Sequence, residues 1–565
     1  MAHKDLQPTS ATSCLEENHS ISTLLCRAPL RRLSQHERES LWEYREKLRL
    51  LPEIMPIFSL AIPRQNRDAF AEARVFAACH WWQYRNIQEA RCCRRWGILS
   101  AQTRVALACL SAQHADCFTR AFACQLLDEL ADKSLFEIFL QLTQALKLEA
   151  QHDSALARLL IRRAACSPLS LGHRLFWLLR AEMHLPGFSE RYGVVLHAFL
   201  SSARQHCAQR WLTAANHALK DFETERHQRL AKRLGVNAGT SVHNAWKAIH
   251  GYSTCLNPAL RCGRIRVEQC KVLTSKKLPL YVVLQNCDWR GDDFHLIFKD
   301  GDDLRQDQLT LQLLRLMDGL WRNAGLDLQM LPYVCVATGH NTGMIEVVPS
   351  ATTTADIQVE YGGGAKGAFN DQVVSSFLLQ HNRDATQYER AQQSFLKTCA
   401  GYCVATHVLG IGDRHADNIM VTKRGRLFHI DFGHFLGNFK FKYGVRRERS
   451  PFVFTPEMKR VIVHTPGRIT EQIRLLHDIR LSRGDVLRVK GTVIVTLFTL
   501  MLPAAMPELL DSEDIDYCLG QLALGLSPRE AAESFSRDIK LAQAAISRRL
   551  DNYIHNWKHT RAEPS

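Results

Sequence analysis

GDRHADNIM at 412–420 and HIDFGHFLG at 429–437 decide how the rest of the chain is read. Phosphoryl transfer asks little covalent work of a protein. It needs oxygen ligands for a metal, a cation on the nucleotide phosphates, and a group that positions or deprotonates the nucleophile. The two segments supply these groups compactly. Asp413 can orient an attacking hydroxyl. His415 can stabilise a γ-phosphate or take a proton, because imidazole titrates near neutrality. Asn418 and Asp431 are oxygen donors suited to Mg2+. Asp431 stands between the apolar run LFHI and Phe432–Gly433, which aims its carboxylate into a cleft. The pattern predicts an ATP-dependent phosphotransferase site.

Upstream, LIFKDGDD ends an apolar strand at Lys299, the place where a kinase holds its phosphate-binding lysine. VLTSKKL at 272–278 is the expected nucleotide loop. It has no glycine, but Ser275 and Lys276 offer hydroxyl, backbone N–H and ammonium donors to phosphates. GGGAKG at 362–367 formally fits a dinucleotide-binding pattern. It follows the hinge strands, however, and the polar HNRDATQYERAQQ beyond the next helix does not suit the second strand of such a unit. A flexible glycine loop is expected there.

The flanking pattern predicts an α + β multidomain chain. RIRVEQCKVL, LPLYVVLQN and FHLIFKD are short β-branched and aromatic runs between Gly or Asp clusters, and YVCVATG and GMIEVVP add two strands. GDDLRQDQLTLQLLRLMDGLW opens a long helix, with Asp302 and Asp303 at its start. A β-rich lobe before a mainly helical one is the layout of a two-lobed kinase. Before it, Pro52, Pro56, Pro63, Pro168 and Pro186 separate amphipathic helices. One of them, SLFEIFLQLTQALKLEA at 134–150, carries Phe136, Phe139, Leu140, Leu142 and Leu146 on or near one stripe. Repeated helices of this kind suggest an α-helical solenoid. The expected division is a flexible N-terminus at 1–32, the helical domain at 33–204, a helical connector at 205–263, the kinase N-lobe at 264–350 and its C-lobe at 351–565.

Composition agrees with a folded chain: 46% of the 565 residues are hydrophobic and 23% charged. Lys and Arg total 72 against 57 Asp and Glu, a surplus of 15 that suits an anionic partner. The 18 cysteines are scattered without a CxxC pair, and MAHKDLQPTSATSC has no apolar h-region, so reduced thiols in a cytosolic protein are expected and a zinc site is not. VIVTLFTLMLPAAM at 493–506 is too short to span a bilayer and contains Pro503, so a buried core helix is expected and membrane contact would be peripheral.

The match extends beyond the short motifs. FKDGDDLRQDQLTLQ, GMIEVVPSATTTADIQ, CAGYCVATHVLGIGDRHADNIM, LFHIDFGHFLGNFK and ERSPFVFTP resemble the catalytic subunits of class I phosphoinositide 3-kinases. FEIFLQLTQALKLEAQHDSALARLL and GHRLFWLLRAEM resemble that family's helical domain. The DRH order separates the chain from ordinary protein kinases, which carry HRD. The resemblance covers about 33–204 and 264–558 and is closest to the gamma form. It implies that Ser275 and Lys276 belong to a phosphate-binding loop and that Lys299 contacts the nucleotide phosphates. Asp307 and Tyr333 would line an inner pocket, and Glu346 and Val348 would offer hinge backbone atoms to adenine. Asp413, His415 and Asn418 would form the catalytic loop and Asp431 would hold metal. His434 is a second candidate for work on the inositol hydroxyl, and the choice between the two histidines stays open.

Lys440, Lys442, Arg446, Arg447 and Arg449 cluster after DFG, opposed only by Glu448. Such a loop can grip phosphates already on an inositol ring through charge-assisted hydrogen bonds. It resembles the class I activation loop, which favours phosphatidylinositol 4,5-bisphosphate over unphosphorylated phosphatidylinositol. The implied partners are phosphoinositide lipids at the inner membrane leaflet and a regulatory subunit, with no nucleic acid. The implied location is the cytoplasm, with peripheral recruitment to the plasma membrane. DNYIHNWKHTRA at 551–562 sets Trp557 beside Lys558, a pair suited to a membrane interface or to a plain C-terminal helix.

The chain departs from the family at Ala416, where Asn is usual, and at Ser450, where an apolar residue is usual. Neither change removes a ligand. Only about 30 residues precede the helical region, where class I subunits carry adaptor-binding, Ras-binding and membrane-targeting domains. A fragment, a short isoform or an incomplete gene model is therefore expected. The alternatives are a related serine/threonine protein kinase and a truncated scaffold with weak activity.

Overall fold

The computed structural model describes residues 34–37, 39, 101–114, 117–203, 252–273, 277–439, 441–442, 445–446, 451–463, 491–523 and 528–544. The expected N-terminal segment 1–32, most of the connector and the Trp557–Lys558 pair lie outside them. The chain divides into two compact units. One comprises 1–209 with 490–515, and the other comprises 210–489 with 516–565.

The first unit is helical where it is described. Its helices are α1 (Ala101–Cys109), α2 (Cys117–Asp128), α3 (Asp132–Ala145), α4 (Ala155–Cys166), α5 (His173–Glu182) and α6 (Ser189–Ser202). Helix α2 packs on α1 and on α4, α4 on α6, and α5 on α3 and on α6. The stripe read from the sequence explains α3: Phe139, Leu140 and Leu142 are buried, and Leu146 is buried in the single 3-10 turn that follows. Phe136 is more exposed and takes the Arg174 guanidinium over its ring at 4.3 Å. The apolar run near 493 forms the helix Gly491–Thr499, with Val493, Ile494, Leu497 and Phe498 buried. It packs against α1. Lys147 Nζ donates to Glu182 Oε2 at 2.8 Å and to the Pro503 carbonyl at 3.0 Å, with both charged side chains almost fully buried. Gln144 Nε2 meets the second Glu182 oxygen at 3.0 Å. The stretch 490–515 groups with the helical unit, and Lys147 joins it there by its bond to the Pro503 carbonyl.

The second unit opens with an antiparallel sheet in the order β1-β2-β4-β5-β7-β6, with β3 also pairing β4. The strands are β1 (Tyr252–Ser253), β2 (Arg261–Ile265), β3 (Lys271–Val272), β4 (Leu280–Asn286), β5 (Phe294–Asp300), β6 (Cys335–Gly339) and β7 (Thr342–Glu346). The sheet begins at Tyr252, ahead of the expected lobe start at 264, so the end of the expected helical connector is strand. A two-residue strand is too short to show alternation in sequence. Gly301 at φ +83° turns the chain out of β5, and the N–H groups of Gly301 and Asp302 both donate to the Asn341 carbonyl at 2.8 and 2.9 Å. Helix α7 (Arg305–Asn323) follows. Asp303 accepts from the Arg305 N–H at 3.1 Å and so stands at its entrance, as the acidic start predicts.

Beyond β8 (Ala351–Thr353), helix α8 (Thr354–Gly362) is capped by the Thr353 hydroxyl, which accepts from the Asp356 N–H at 3.0 Å. It ends at Gly363, φ +76°, whose N–H donates to the Val359 carbonyl. Gly363 of GGGAKG therefore stops a helix, as the left-handed cap requires, and Gly364–Phe369 form a 3-10 helix in place of the expected flexible glycine loop; the stretch forms no strand–turn–helix unit. Helices α9 (Val373–His381) and α10 (Ala385–Val408) come next. Strands β9 (Ile419–Thr422) and β10 (Leu427–His429) then complete a second sheet with β8. Asp384 caps α10 by accepting from the Gln387 N–H at 3.0 Å. Phe395, Tyr402 and Ala405 of α10 are fully buried, so this long helix is the support on which the loop at 409–418 rests.

Candidate active site

The loop carrying Asp413, His415 and Asn418 connects α10 to β9, and the loop carrying Asp431 and His434 follows β10. Because β9 and β10 pair antiparallel, Ile419 opposite His429, the two loops leave the sheet side by side. Their backbones then join directly. Leu436 N–H donates to the Leu409 carbonyl at 2.8 Å, Gly437 N–H to Gly410 at 3.1 Å and Gly412 N–H to His434 at 2.9 Å. Ile430 N–H donates to the Asn418 carbonyl at 3.0 Å.

Arg414 fastens the same junction from inside. Its guanidinium donates to the carbonyls of Gly412 at 2.8 Å, Ile430 at 2.6 Å and Asp431, and stands 5.6 Å from the centre of the Phe432 ring. Burial pulls its pKa below the usual arginine range, while Asp431 and Asp413 act in the opposite direction. Asp413 at φ +53° and Asp431 at φ +57° are both left-handed. Such backbone costs about 1–3 kcal/mol per residue and collects at functional sites.

Asn418 is buried, and its Nδ2 donates to the Asp413 carbonyl at 2.8 Å. That bond leaves its side-chain oxygen as the atom for a cation. Asp431 is exposed and adds a carboxylate. Mg2+ is commonly held by one or two such oxygen ligands together with substrate phosphates, so this donor set fits the ion. No group of three or more His, Cys, Asp or Glu residues is arranged for a metal among the described residues.

Lys299, near the end of β5, is ion-paired to Asp302 at 2.9 Å. Burial opposes its charge, but Asp307, Asp431 and Asp302 together lift its pKa to about 12. Asp431, which helps raise the Lys299 pKa, lies more than a hundred positions away in sequence. Asp307 is buried in the first turn of α7 and accepts from the Phe432 N–H at 3.0 Å. Burial raises its carboxyl to about 6, with Lys299 opposing and Asp431 adding to the rise. Gln306 donates from Nε2 to the Phe432 carbonyl at 3.0 Å. Neighbouring side chains thus grip both backbone polar groups of the residue after Asp431.

Tyr333 is buried edge-on to Phe428, with ring centres 6.3 Å apart. Burial, then the Asp307 carboxylate, drives its hydroxyl well above the usual tyrosine range. Glu346, at the end of β7, exchanges two bonds with Val334: its N–H donates to the Val334 carbonyl at 2.8 Å, and its Oε2 accepts from the Val334 N–H at 2.8 Å. The inner-pocket and hinge candidates are thereby held together, with Val348 two residues past the strand end. Ala416 is buried, and its carbonyl accepts from the Thr354 hydroxyl at 2.7 Å.

Ser275, Lys276, Lys440 and Arg447 lie outside the described residues. Lys442 and Arg446 fall in a two-strand hairpin, β11 (Phe441–Lys442) with β12 (Val445–Arg446), where Phe441 pairs Arg446. Only the backbone of that hairpin is described. Sequence reasoning missed Gln306, Arg414 and Thr354. Arg414 sits inside the DRH motif itself, and its place between two titrating neighbours was the available signal. Gln306 and Thr354 act on residues 126 and 62 positions away, which leaves no local pattern.

Residues 293–511 match the family model for phosphatidylinositol 3- and 4-kinase, and residues 9–211 match the accessory (PIK) domain of the phosphoinositide 3-kinase family. The chain is 37% identical over 553 residues to phosphatidylinositol 3-kinase 2 of Dictyostelium discoideum, covering 96% of this chain and 28% of that protein. Phosphatidylinositol 3-kinase 1 of the same organism is 36% identical over 562 residues, covering 98% of this chain and 34% of that protein. Phosphatidylinositol 3-kinase 3 is 36% identical over 555 residues, covering 96% and 31%. The chain spans about a third of the length of the curated relatives it matches. The accessory match starts at residue 9, inside the segment expected to be a flexible N-terminus, and the kinase match runs over 293–511, where 264–565 was expected; a helical accessory domain with a sheet-containing catalytic domain fits a two-lobed kinase.

Proposed function

We propose that the chain is a class I phosphoinositide 3-kinase that transfers the γ-phosphate of ATP to the 3-hydroxyl of phosphatidylinositol 4,5-bisphosphate, making phosphatidylinositol 3,4,5-trisphosphate. The observation that carries this reading is the geometry that ties the Lys299–Asp302 ion pair and the Asp307 carboxylate on the Phe432 N–H to two loops joined by backbone bonds. Matched cation and carboxylates are what a bound nucleotide triphosphate needs. Lys299 holds the phosphates, and Glu346 and Val348 offer backbone atoms to adenine. Asp307 and Tyr333 shape the inner pocket, and Ser275 and Lys276 close over the phosphates. Asp413 positions the inositol hydroxyl, and His415 or His434 takes its proton. Asn418 and Asp431 hold Mg2+, which supplies charge neutralisation at the phosphates when bound. The helical unit serves as a solenoid scaffold.

Lys440, Lys442, Arg446 and Arg447 grip the 4- and 5-phosphates of the lipid. The net charge of +15 favours an acidic leaflet, which attracts each nearby Lys or Arg by about 1 kcal/mol. The chain then works at the cytoplasmic face of the plasma membrane, recruited peripherally. Among the described residues no helix is long and apolar enough to cross a membrane.

A phosphoinositide panel with labelled ATP, run beside Asp431→Ala, tests the reading. Label in the trisphosphate from the unaltered chain alone is expected, and equal signal from both proteins would overturn the catalytic assignment. Neutralising Lys440, Lys442, Arg446 and Arg447 together should abolish bisphosphate turnover while ATP binding survives. Phosphopeptide without phospholipid product would replace the lipid reading with a protein-kinase one.

A further inference from the structure

Tyr517 belongs to the seven-residue helix Asp516–Leu522, far in sequence from both active-site loops. Gly410 lies in the first loop at φ +59° and Gly437 in the second at φ +81°. A Cβ built on Gly410 would stand 2.5 Å from Tyr517 Cε1 and 2.7 Å from Cδ1. One built on Gly437 would stand 2.8 Å from Tyr517 Cγ and 3.0 Å from Cε2. Opposite edges of one ring therefore lie against the two glycines whose backbones are bonded to each other. Phe439 meets the same ring edge-on at 5.9 Å.

We propose that Tyr517 is a positioning residue for phosphoryl transfer, fixing the separation of the loop that carries Asp413 and His415 from the loop that carries Asp431 and His434. This rests on the phosphotransfer reading of the site. The junction under the ring is made of backbone bonds at Leu409–Leu436, Gly410–Gly437 and Gly412–His434. Water competes with such bonds wherever it reaches them, and an apolar ring on one face lowers the local dielectric and strengthens them. Both glycines are needed for the approach, because each positive φ and each close ring atom excludes a larger residue. Arg414 ties the interior of the same junction, so loss of the ring loosens one face rather than unfolding the site.

Tyr517→Ala and Tyr517→Phe separate this role from bulk packing. In Tyr517→Ala, kcat for lipid phosphorylation should fall about tenfold, since a shift of about 1 Å at reacting groups costs up to about a hundredfold. The KM for ATP should stay within about twofold, because transition-state geometry and not nucleotide binding is lost. Tyr517→Phe, which keeps the ring, should recover kcat. A second measurement does not need activity: amide hydrogen exchange of the full chain should quicken at 409–412 and 434–437 in Tyr517→Ala, with exchange in α3 unchanged. Unchanged exchange at the two loops overturns the proposal, as does kcat in Tyr517→Ala equal to or above that of the unaltered chain. If the unaltered chain transfers no phosphate, the phosphotransfer reading fails, and the exchange comparison still decides whether Tyr517 holds the loops.

Discussion

The Phe432 N–H donates to Asp307 Oδ1 at 3.0 Å, so a buried carboxylate at the start of α7 holds the residue that follows Asp431. The same carboxylate helps lift Lys299 to about 12. Asp307 therefore has a backbone to hold and a charge to supply, and the two roles can be separated.

Asp307→Asn keeps an acceptor oxygen and removes the charge. ATP turnover should fall about tenfold or more, as when one preorganised electrostatic partner is lost. Its pH signature is distinct. Burial raises Asp307 to about 6 in the folded chain, against about 4 when unfolded. The folded state thus binds the proton more tightly, and this group's contribution to stability is lost as pH rises from about 4 to about 6. Denaturation midpoints should show the unaltered chain losing stability relative to Asp307→Asn across that window and holding level above it. A constant difference would remove the buried carboxyl from the account.

Lys299→Met should lower ATP turnover by about a hundredfold or more, because the cation on the phosphates is lost. It also leaves Asp302, Asp307 and Asp431 without their shared counter-charge. Nucleotide affinity measured by titration should fall with turnover. Unchanged affinity would move the phosphate contact to other residues.

Thr354→Val tests the support of Ala416. The Thr354 hydroxyl satisfies the Ala416 carbonyl at 2.7 Å in a buried setting, and an unpaired buried acceptor costs about 1–3 kcal/mol. Stability should drop by that amount, and kcat should fall more than KM rises. Thr354→Ser keeps the hydroxyl and should restore both. Ala416 is itself buried, so the larger side chain of Ala416→Asn must find room at a packed site and should lower kcat by shifting the loop.

Glu182→Ala tests the helical unit. It leaves the Lys147 ammonium buried with the Pro503 carbonyl and without its carboxylate. Breaking such a pair costs about 3–5 kcal/mol, read as a lower denaturation midpoint. Because Lys147 also holds the 490–515 stretch, proteolysis within that stretch should quicken in the same variant. Equal proteolysis would detach the ion pair from the stretch.

Much of this protein was legible in the sequence because the signals are local. DRH, DFG and the apolar strand before Lys299 point to a kinase by residue type and spacing, which the kinase family match supports. The 3.6-residue stripe in 134–150 and the acidic start of α7 name their helices. Tertiary structure alone decided which distant groups meet: Lys299 with Asp307 and Asp431 through their charges, Gln306 with Phe432 by a hydrogen bond, and Tyr517 with Gly410 and Gly437 by close packing. It also decided that the sheet starts at Tyr252 and that 490–515 packs with the helical unit. The physical reason is range. Helix and turn preferences act over a few residues, whereas burial, charge coupling and close packing depend on what folding brings together across hundreds of positions.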